Sequence, residues 1–337
     1  MKILFIDHIF HKQTKSSDFF VDILKSFASV DIIYSDPDSK EQDLFKDFCL
    51  LDYDRICFWQ IMPTPHEISI LPKERTILIP MYDACCIWTY KKWSRYKGFK
   101  FISFCVKIHN ILLDLGISSC YVKYVPKVIM ADISKKKTNV TAFIWKRTPN
   151  LNLPVIIQMF KRNGVKDFIC HGVPENQRYE DSDLNIEYTN GWFKTHNDYI
   201  NTLSNCHYFF APRLYEGIGM GFLEAMGLGL CVIAPNQATM NEYIEDNING
   251  YLFDNLKTKS FEINDLNKIS ENAIKTYKII ESDWDNKRNC ITDFIISESP
   301  SLNEKASCLK FLFKDIILLY NYRLKYFIKR KLNLLYY

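Results

Sequence analysis

Short apolar runs that alternate with helix-like stretches, twice over in one chain, constrain this sequence more than any other feature. In the first third the runs cover residues 2–7, 31–35, 55–61, 76–81, 99–105 and 121–125. Helical patterns lie between several of them, at 18–28, 41–51 and 106–115. A strand buried on both faces reads as a continuous apolar run, and parallel strands need a long crossover, usually a helix. The alternation therefore predicts a parallel sheet covered by helices. A second round follows, with strands expected at 140–145, 167–170, 186–189, 208–211 and 230–234, and helices at 151–162, 196–203, 221–226 and 240–245. Residues 126–137, which end in Lys135-Lys136-Lys137, read as the crossover between two domains. After Asp254 the pattern is helical to the end.

A length of 337 residues suits two domains. The net charge of +4 is small and dispersed, and no zinc-finger or RNP signature accompanies it, which argues against nucleic acid as a partner. Eleven cysteines are scattered without a CxxC pair, a pattern that fits reduced thiols better than a disulfide framework. The first residues form a buried-strand pattern, not a signal peptide, and no apolar run approaches the roughly 20 residues that cross a bilayer. The expected location is the cytoplasm. Four Asp-x-Asp triplets (Asp36/Asp38, Asp52/Asp54, Asp181/Asp183 and Asp283/Asp285) fall in turns or the helical tail, and no metal is expected.

The chemistry concentrates between Tyr208 and Asp254. The chain has 11 glycines, and Gly217, Gly219, Gly221, Gly227 and Gly229 fall close together. The first three separate an expected strand from an expected helix. Glycines there permit close backbone approach, and the amides of a helix start attract an anion. A tight turn without a ligand is the alternative. From Gly217 to Asn241 the only charged residue is Glu224, on an otherwise apolar helix. A carboxylate so placed needs a partner, because unpaired buried charge is very costly. It either pairs with a distant cation or accepts hydrogen bonds from a polar ligand, such as ribose hydroxyls. Glu216 precedes the turn and stands at the carboxyl end of a strand, where open α/β sheets bind ligands.

This stretch resembles the donor-binding signature of the family 4 retaining glycosyltransferases. The resemblance rests on Glu216, seven intervening residues and Glu224, then Ala225-Met226, Gly229, the apolar run Cys231-Val232-Ile233-Ala234, Glu242 and Asn249-Gly250-Tyr251-Leu252-Phe253. It implies the GT-B fold, an α/β architecture of two Rossmann-like domains whose parallel sheets face a central cleft. With a helical C-terminal tail the expected domains are 1–130 for the acceptor, 138–296 for the nucleotide sugar, and 300–337. By the resemblance, Glu216 contacts the donor sugar, the amides of Gly219, Met220 and Gly221 face the sugar and diphosphate, and Glu224 takes the ribose hydroxyls. Basic residues after the first strand of the second domain would neutralise the diphosphate. Here these are Lys146 and Arg147, and Arg147 matches better because its planar fork suits phosphate oxygens. The family's further lysine is replaced by Thr148-Pro149-Asn150-Leu151-Asn152. A surface pair at a strand end is the alternative for both.

On the acceptor side, the loop after the first strand offers His8, His11 and Lys12, with Ser16 or Ser17 as a helix N-cap. Asp83 follows the strand at 76–81 and is a candidate to orient an acceptor hydroxyl or the donor sugar. The expected activity is transfer of a glycosyl (hexosyl-type) group from a nucleoside diphosphate sugar to a hydroxyl of a saccharide or lipid-linked saccharide. Polysaccharide biosynthesis is the expected setting, with no cofactor beyond the donor. A nucleotide-sugar epimerase on the same fold and a non-catalytic nucleotide-sugar-binding protein are the alternatives. Residues 310–337 carry seven lysines and arginines among aromatics and leucines against one acid, Asp315. Such a helix either packs back on the first domain or lies on an anionic membrane surface.

Overall fold

The computed structural model of the chain describes residues 1–36, 44–128, 138–147, 151–257, 259–261, 265–298 and 314–315. The chain divides into two compact units. Among the described residues, the first comprises Met1–Lys123 together with those from Trp284 to Asp315, and the second those from Tyr124 to Asp283.

The first unit contains β1 (Lys2–His8), α1 (His11–Thr14), α2 (Asp18–Lys25), β2 (Ser29–Ser35), β3 (Arg55–Trp59), α3 (Pro65–Ile70) and β4 (Thr76–Ile79). It continues with α4 (Tyr82–Cys85), α5 (Tyr90–Trp93), β5 (Lys100–Ser103), α6 (Val106–Asp114) and β6 (Ser119–Tyr121). Its six strands are parallel, in the order β2-β1-β3-β4-β5-β6. Ile3 to Ile6, Ile56 to Phe58 and Ile77 to Ile79 are fully buried, which explains why these strands read as unbroken apolar runs.

The second unit contains β7 (Thr141–Trp145), α7 (Leu153–Arg162), β8 (Asp167–His171), β9 (Asn185–Thr189), α8 (His196–Ser204) and β10 (Tyr208–Phe210). Next come α9 (Met220–Gly227), β11 (Cys231–Pro235), β12 (Tyr251–Phe253) and the long α10 (Leu266–Ile296). The sheet order is β12-β11-β10-β7-β8-β9, again all parallel. The strand order reverses between β7 and β10, and α/β sheets of this order bind nucleotides at that point. The helix expected at 240–245 is instead a single 3₁₀ turn, Met240–Glu242. Of the stretch expected to be helical at 41–51, residues 41–43 lie outside the described residues, and the rest holds turns and a 3₁₀ turn from Leu50 to Asp52. The basic tail at 300–337 lies outside the described residues except for Lys314 and Asp315. Asp315 caps α5 by accepting from the amides of Tyr90 at 2.5 Å and Lys91 at 3.0 Å.

The division between units falls inside α10, whose last turns belong to the first unit. Two cations there hold the carbonyls that a helix end leaves without intrahelical partners. Arg55 Nε donates to Ile295 O at 2.6 Å, and its Nη2 to Ile296 O at 2.5 Å. Lys100, buried in β5, donates from Nζ to the carbonyl of Phe294, and to the carbonyl and hydroxyl of Ser297 at 2.8 and 2.9 Å. Burial pushes the Lys100 ammonium down to about 8. Methionine at position 100 keeps the stem but leaves these acceptors unmet. Lys100→Met should lower unfolding stability by about 2 kcal/mol, read from urea denaturation.

Candidate functional site

The site is built where the sheet of the second unit reverses its order. The chain leaves β7 at Trp145 and continues into Lys146 and Arg147. It leaves neighbouring β10 at Phe210, runs through a loop that holds Glu216, and enters α9. The loop ends at Gly219, the N-cap of α9, whose φ of 83° is left-handed. The ring of Phe222 folds back over it, so a Cβ on Gly219 would lie 2.1 Å from a ring carbon. Gly219→Ala should therefore combine left-handed strain with a steric clash and cost about 2 kcal/mol or more in a denaturant titration. Gly227 and Gly229 have a different task. Side chains of α10 close over both, and a Cβ on Gly227 would lie 2.9 Å from the Tyr277 ring.

Glu224 sits one turn into α9, three residues beyond Gly221 and thus on the same helix face. It is buried among Phe222, Leu223, Ala225 and Met226. Its Oε1 is 2.7 Å from Nε2 of His196, the first residue of α8. The His196 side chain is 60% exposed against 7% for Glu224, so the pair reaches from the helix interior to solvent. The hydrogen bond from Glu224 raises the His196 pKa above the usual histidine value. Thr195 and Asp198 form a capping box that fixes the first turn of α8, and with it the histidine.

Tyr199, one turn further along α8, packs beneath the glycine turn. A Cβ on Gly221 would come within 3.2 Å of its hydroxyl, a buried oxygen without a hydrogen-bond partner among the described residues. Burial, with the charges of Glu224 and Glu216, holds this phenol well above its ordinary pKa, while Arg147 opposes them. Three of the charged residues singled out in the sequence thus act on one hydroxyl. Glu216 is buried, and its carbonyl accepts from Thr239 Oγ1 at 3.4 Å. Arg147 lies with its guanidinium carbon 4.9 Å from the centre of the Trp145 ring. Lys146 diverges from it and reaches the carbonyl of Leu151 at 3.4 Å, with burial lowering its pKa. Thr148 to Asn150 lie outside the described residues. Trp145 also packs against His171, Phe193 and Tyr199, with ring centres 5.3, 6.1 and 5.5 Å away.

In the first unit, Asp7 at the carboxyl end of β1 gathers the following loop. It is buried and accepts from the His8 amide at 2.7 Å and Ser17 Oγ at 2.6 Å, and its Oδ1 is 2.5 Å from His11 Nδ1. His11 is therefore buried and engaged. His8 accepts from the Phe10 amide at 3.0 Å, and the exposed Lys12 approaches the Tyr34 ring at 5.8 Å. Ser17 is the N-cap of α2, but its hydroxyl serves Asp7 rather than the helix. Asp83 lies in the first turn of α4, where its Oδ1 accepts from the Ala84 amide at 3.1 Å. Of the Asp-x-Asp triplets, Asp181 and Asp183 are held by Lys161, and Asp54 accepts from the Lys2 amide. Asp38 lies outside the described residues. Among the described residues no group of three or more His, Cys, Asp or Glu is arranged to hold a metal.

Residues 128–282, a little under half of the chain, match the family described as glycosyl transferases group 1, and the match spans the site just described. The solved structure of a glycosyltransferase from Rickettsia africae is 12% identical and superposes with a TM-score of 0.60, covering 88% of this chain and 98% of its own. Alr3699/HepE from Anabaena, solved in complex with UDP, is 13% identical with a TM-score of 0.58, covering 87% and 99%. The lipopolysaccharide outer core galactosyltransferase WaaB, in its apo form, is 12% identical with a TM-score of 0.53, covering 87% and 100%. No curated protein sequence matches the chain. The fold is GT-B, with a group 1 glycosyltransferase match on its second unit.

Proposed function

We propose that this protein transfers a glycosyl group from a nucleoside diphosphate sugar to a hydroxyl of a saccharide or lipid-linked saccharide, with retention of configuration and without a metal ion. The observation that carries the reading is Glu224, a buried carboxylate on the same helix face as the glycine turn, at the carboxyl edge of the reversing sheet. Ribose hydroxyls donate to Glu224. The diphosphate meets the amides of Gly219, Met220 and Gly221, at a helix start whose dipole favours negative charge. Arg147 adds the fixed cation. Glu216 accepts from a hydroxyl of the donor sugar and orients it.

In the reaction the bond between the anomeric carbon and the diphosphate oxygen breaks, and charge grows on that oxygen. Amides and a guanidinium aimed there stabilise the transition state more than the ground state. The acceptor oxygen bonds to the anomeric carbon on the face the diphosphate leaves, and its proton passes to the departing phosphate oxygen. No nucleophile from the chain is required. The complex of Alr3699/HepE with UDP supports a uridine nucleotide as the first to test.

Incubation of the protein with UDP-sugars and saccharide acceptors, followed by proton NMR of the product anomeric centre, tests the reading. An axial-to-axial outcome with release of UDP is expected. Inverted product would remove the retaining assignment. Epimerised donor without transfer would replace transferase by isomerase.

A further inference from the structure

We propose that His196 is a positioning residue of the donor site: it holds one oxygen of Glu224, leaves the other for ribose, and as an imidazolium offsets the Glu224 charge against the incoming diphosphate. The proposal rests on the donor reading of Glu224 given above and adds a residue from outside the family signature. The geometry is direct. His196 Nε2 and Glu224 Oε1 are 2.7 Å apart, and the capping box of Thr195 and Asp198 fixes the turn that carries the ring. Glu224 lies three residues from Gly221 on α9, so the carboxylate is on the Gly221 face, about one turn from the amides at the helix start. An uncompensated carboxylate so close to a diphosphate would weaken its binding. On the Trp145 side the Arg147 guanidinium lies over the ring, while Lys146 turns to the Leu151 carbonyl. The imidazolium sets a positive charge directly against the Glu224 carboxylate.

The groups around His196 leave it responsive to the donor. Glu224 faces it from α9 and raises its pKa. On its own helix, Asp198 is turned to the Thr195 amide at 3.0 Å, and the Tyr199 phenol is held neutral. Behind Glu224, the phenols of Tyr124 and Tyr277 are pushed up by burial and stay uncharged. Lys194 is exposed just upstream. A bound diphosphate adds negative charge and so raises the His196 pKa further. The bound state then holds the proton more tightly than the free state. Affinity is highest below the free-state pKa, falls as pH rises toward the bound-state pKa, and levels off above it.

The test is calorimetry of UDP-glucose, whose doubly esterified diphosphate does not titrate in this range, from about pH 6 to about pH 8.5. Wild-type affinity should fall about fivefold or more across that range. His196→Gln should bind more weakly at the low end and show a flat profile. Parallel profiles for the two proteins would overturn the proposal and leave the donor reading intact. Absence of wild-type binding to UDP-glucose and to UDP at every pH would overturn both. As a second measurement, histidine-selective NMR, with the His196 signal assigned by its absence from His196→Gln, should show that ring's pKa moving upward when UDP-glucose is added. An unmoved pKa with bound nucleotide would contradict the proposal.

Discussion

Glu216→Gln should lower kcat for glycosyl transfer by about 100-fold or more while the Kd for UDP stays within about twofold. Glu216 is buried on the loop that joins β10 to the glycine turn, on the side where the donor sugar would lie. A carboxylate there accepts a hydroxyl proton more strongly than an amide does, and it stabilises positive charge developing at the anomeric carbon. The amide is isosteric and leaves the loop packed. The loss should therefore fall on the transition state, where removal of one preorganised polar contact commonly costs 10² to 10³ in rate. UDP lacks the sugar and so should not sense the change. Initial rates at saturating UDP-sugar, paired with UDP calorimetry, separate the two effects. Equal loss of rate and of UDP affinity would move Glu216 from the sugar to the nucleotide.

The second large effect is expected from Glu224→Gln, which should weaken UDP binding about tenfold to 100-fold. A hydrogen bond to a charged group is worth about 1.5–3 kcal/mol, or about one to two decades in Kd. The substitution also releases His196, whose raised pKa depends on the carboxylate. Without the carboxylate the His196 pKa falls back, so cation and anion are lost together near neutral pH and the expected loss of affinity comes from the missing ribose acceptor. Fluorescence or calorimetric titration with UDP reads the result. Unchanged affinity would mean that the carboxylate serves only as the ion-pair partner of His196.

The legibility of the sequence followed burial. Strands β1, β4, β7 and β11 are buried along nearly their whole length, and each was visible as an apolar run. Helix α8 was expected at 196–203 and runs His196–Ser204, because Thr195 and Asp198 mark its start. The short helices α3, α4 and α5 gave no periodic signal, since four to six residues hold too little of a face. In the site, the glycine turn and Glu224 stood out because Glu224 is the lone charge in a long uncharged stretch. Its partner did not. His196 is 28 residues upstream, and only the order β9-α8-β10 brings it alongside α9. Tyr199 escaped notice for the same reason, and the capping box ahead of it was the one local clue. In the first unit the sequence presented His8, His11 and Lys12 as equivalent polar candidates, whereas Asp7 binds His11 and Ser17 into the loop itself. The carboxylate at the end of an apolar strand was the signal, and its burial separates His11 from exposed Lys12.

A structure of the protein crystallised with UDP tests the central claim most directly. Ribose hydroxyls are predicted within hydrogen-bond distance of the free Glu224 oxygen, with the diphosphate against the amides of Gly219 to Gly221. Nucleotide bound elsewhere, with Glu224 closed off by His196 and the glycine turn empty, would contradict it.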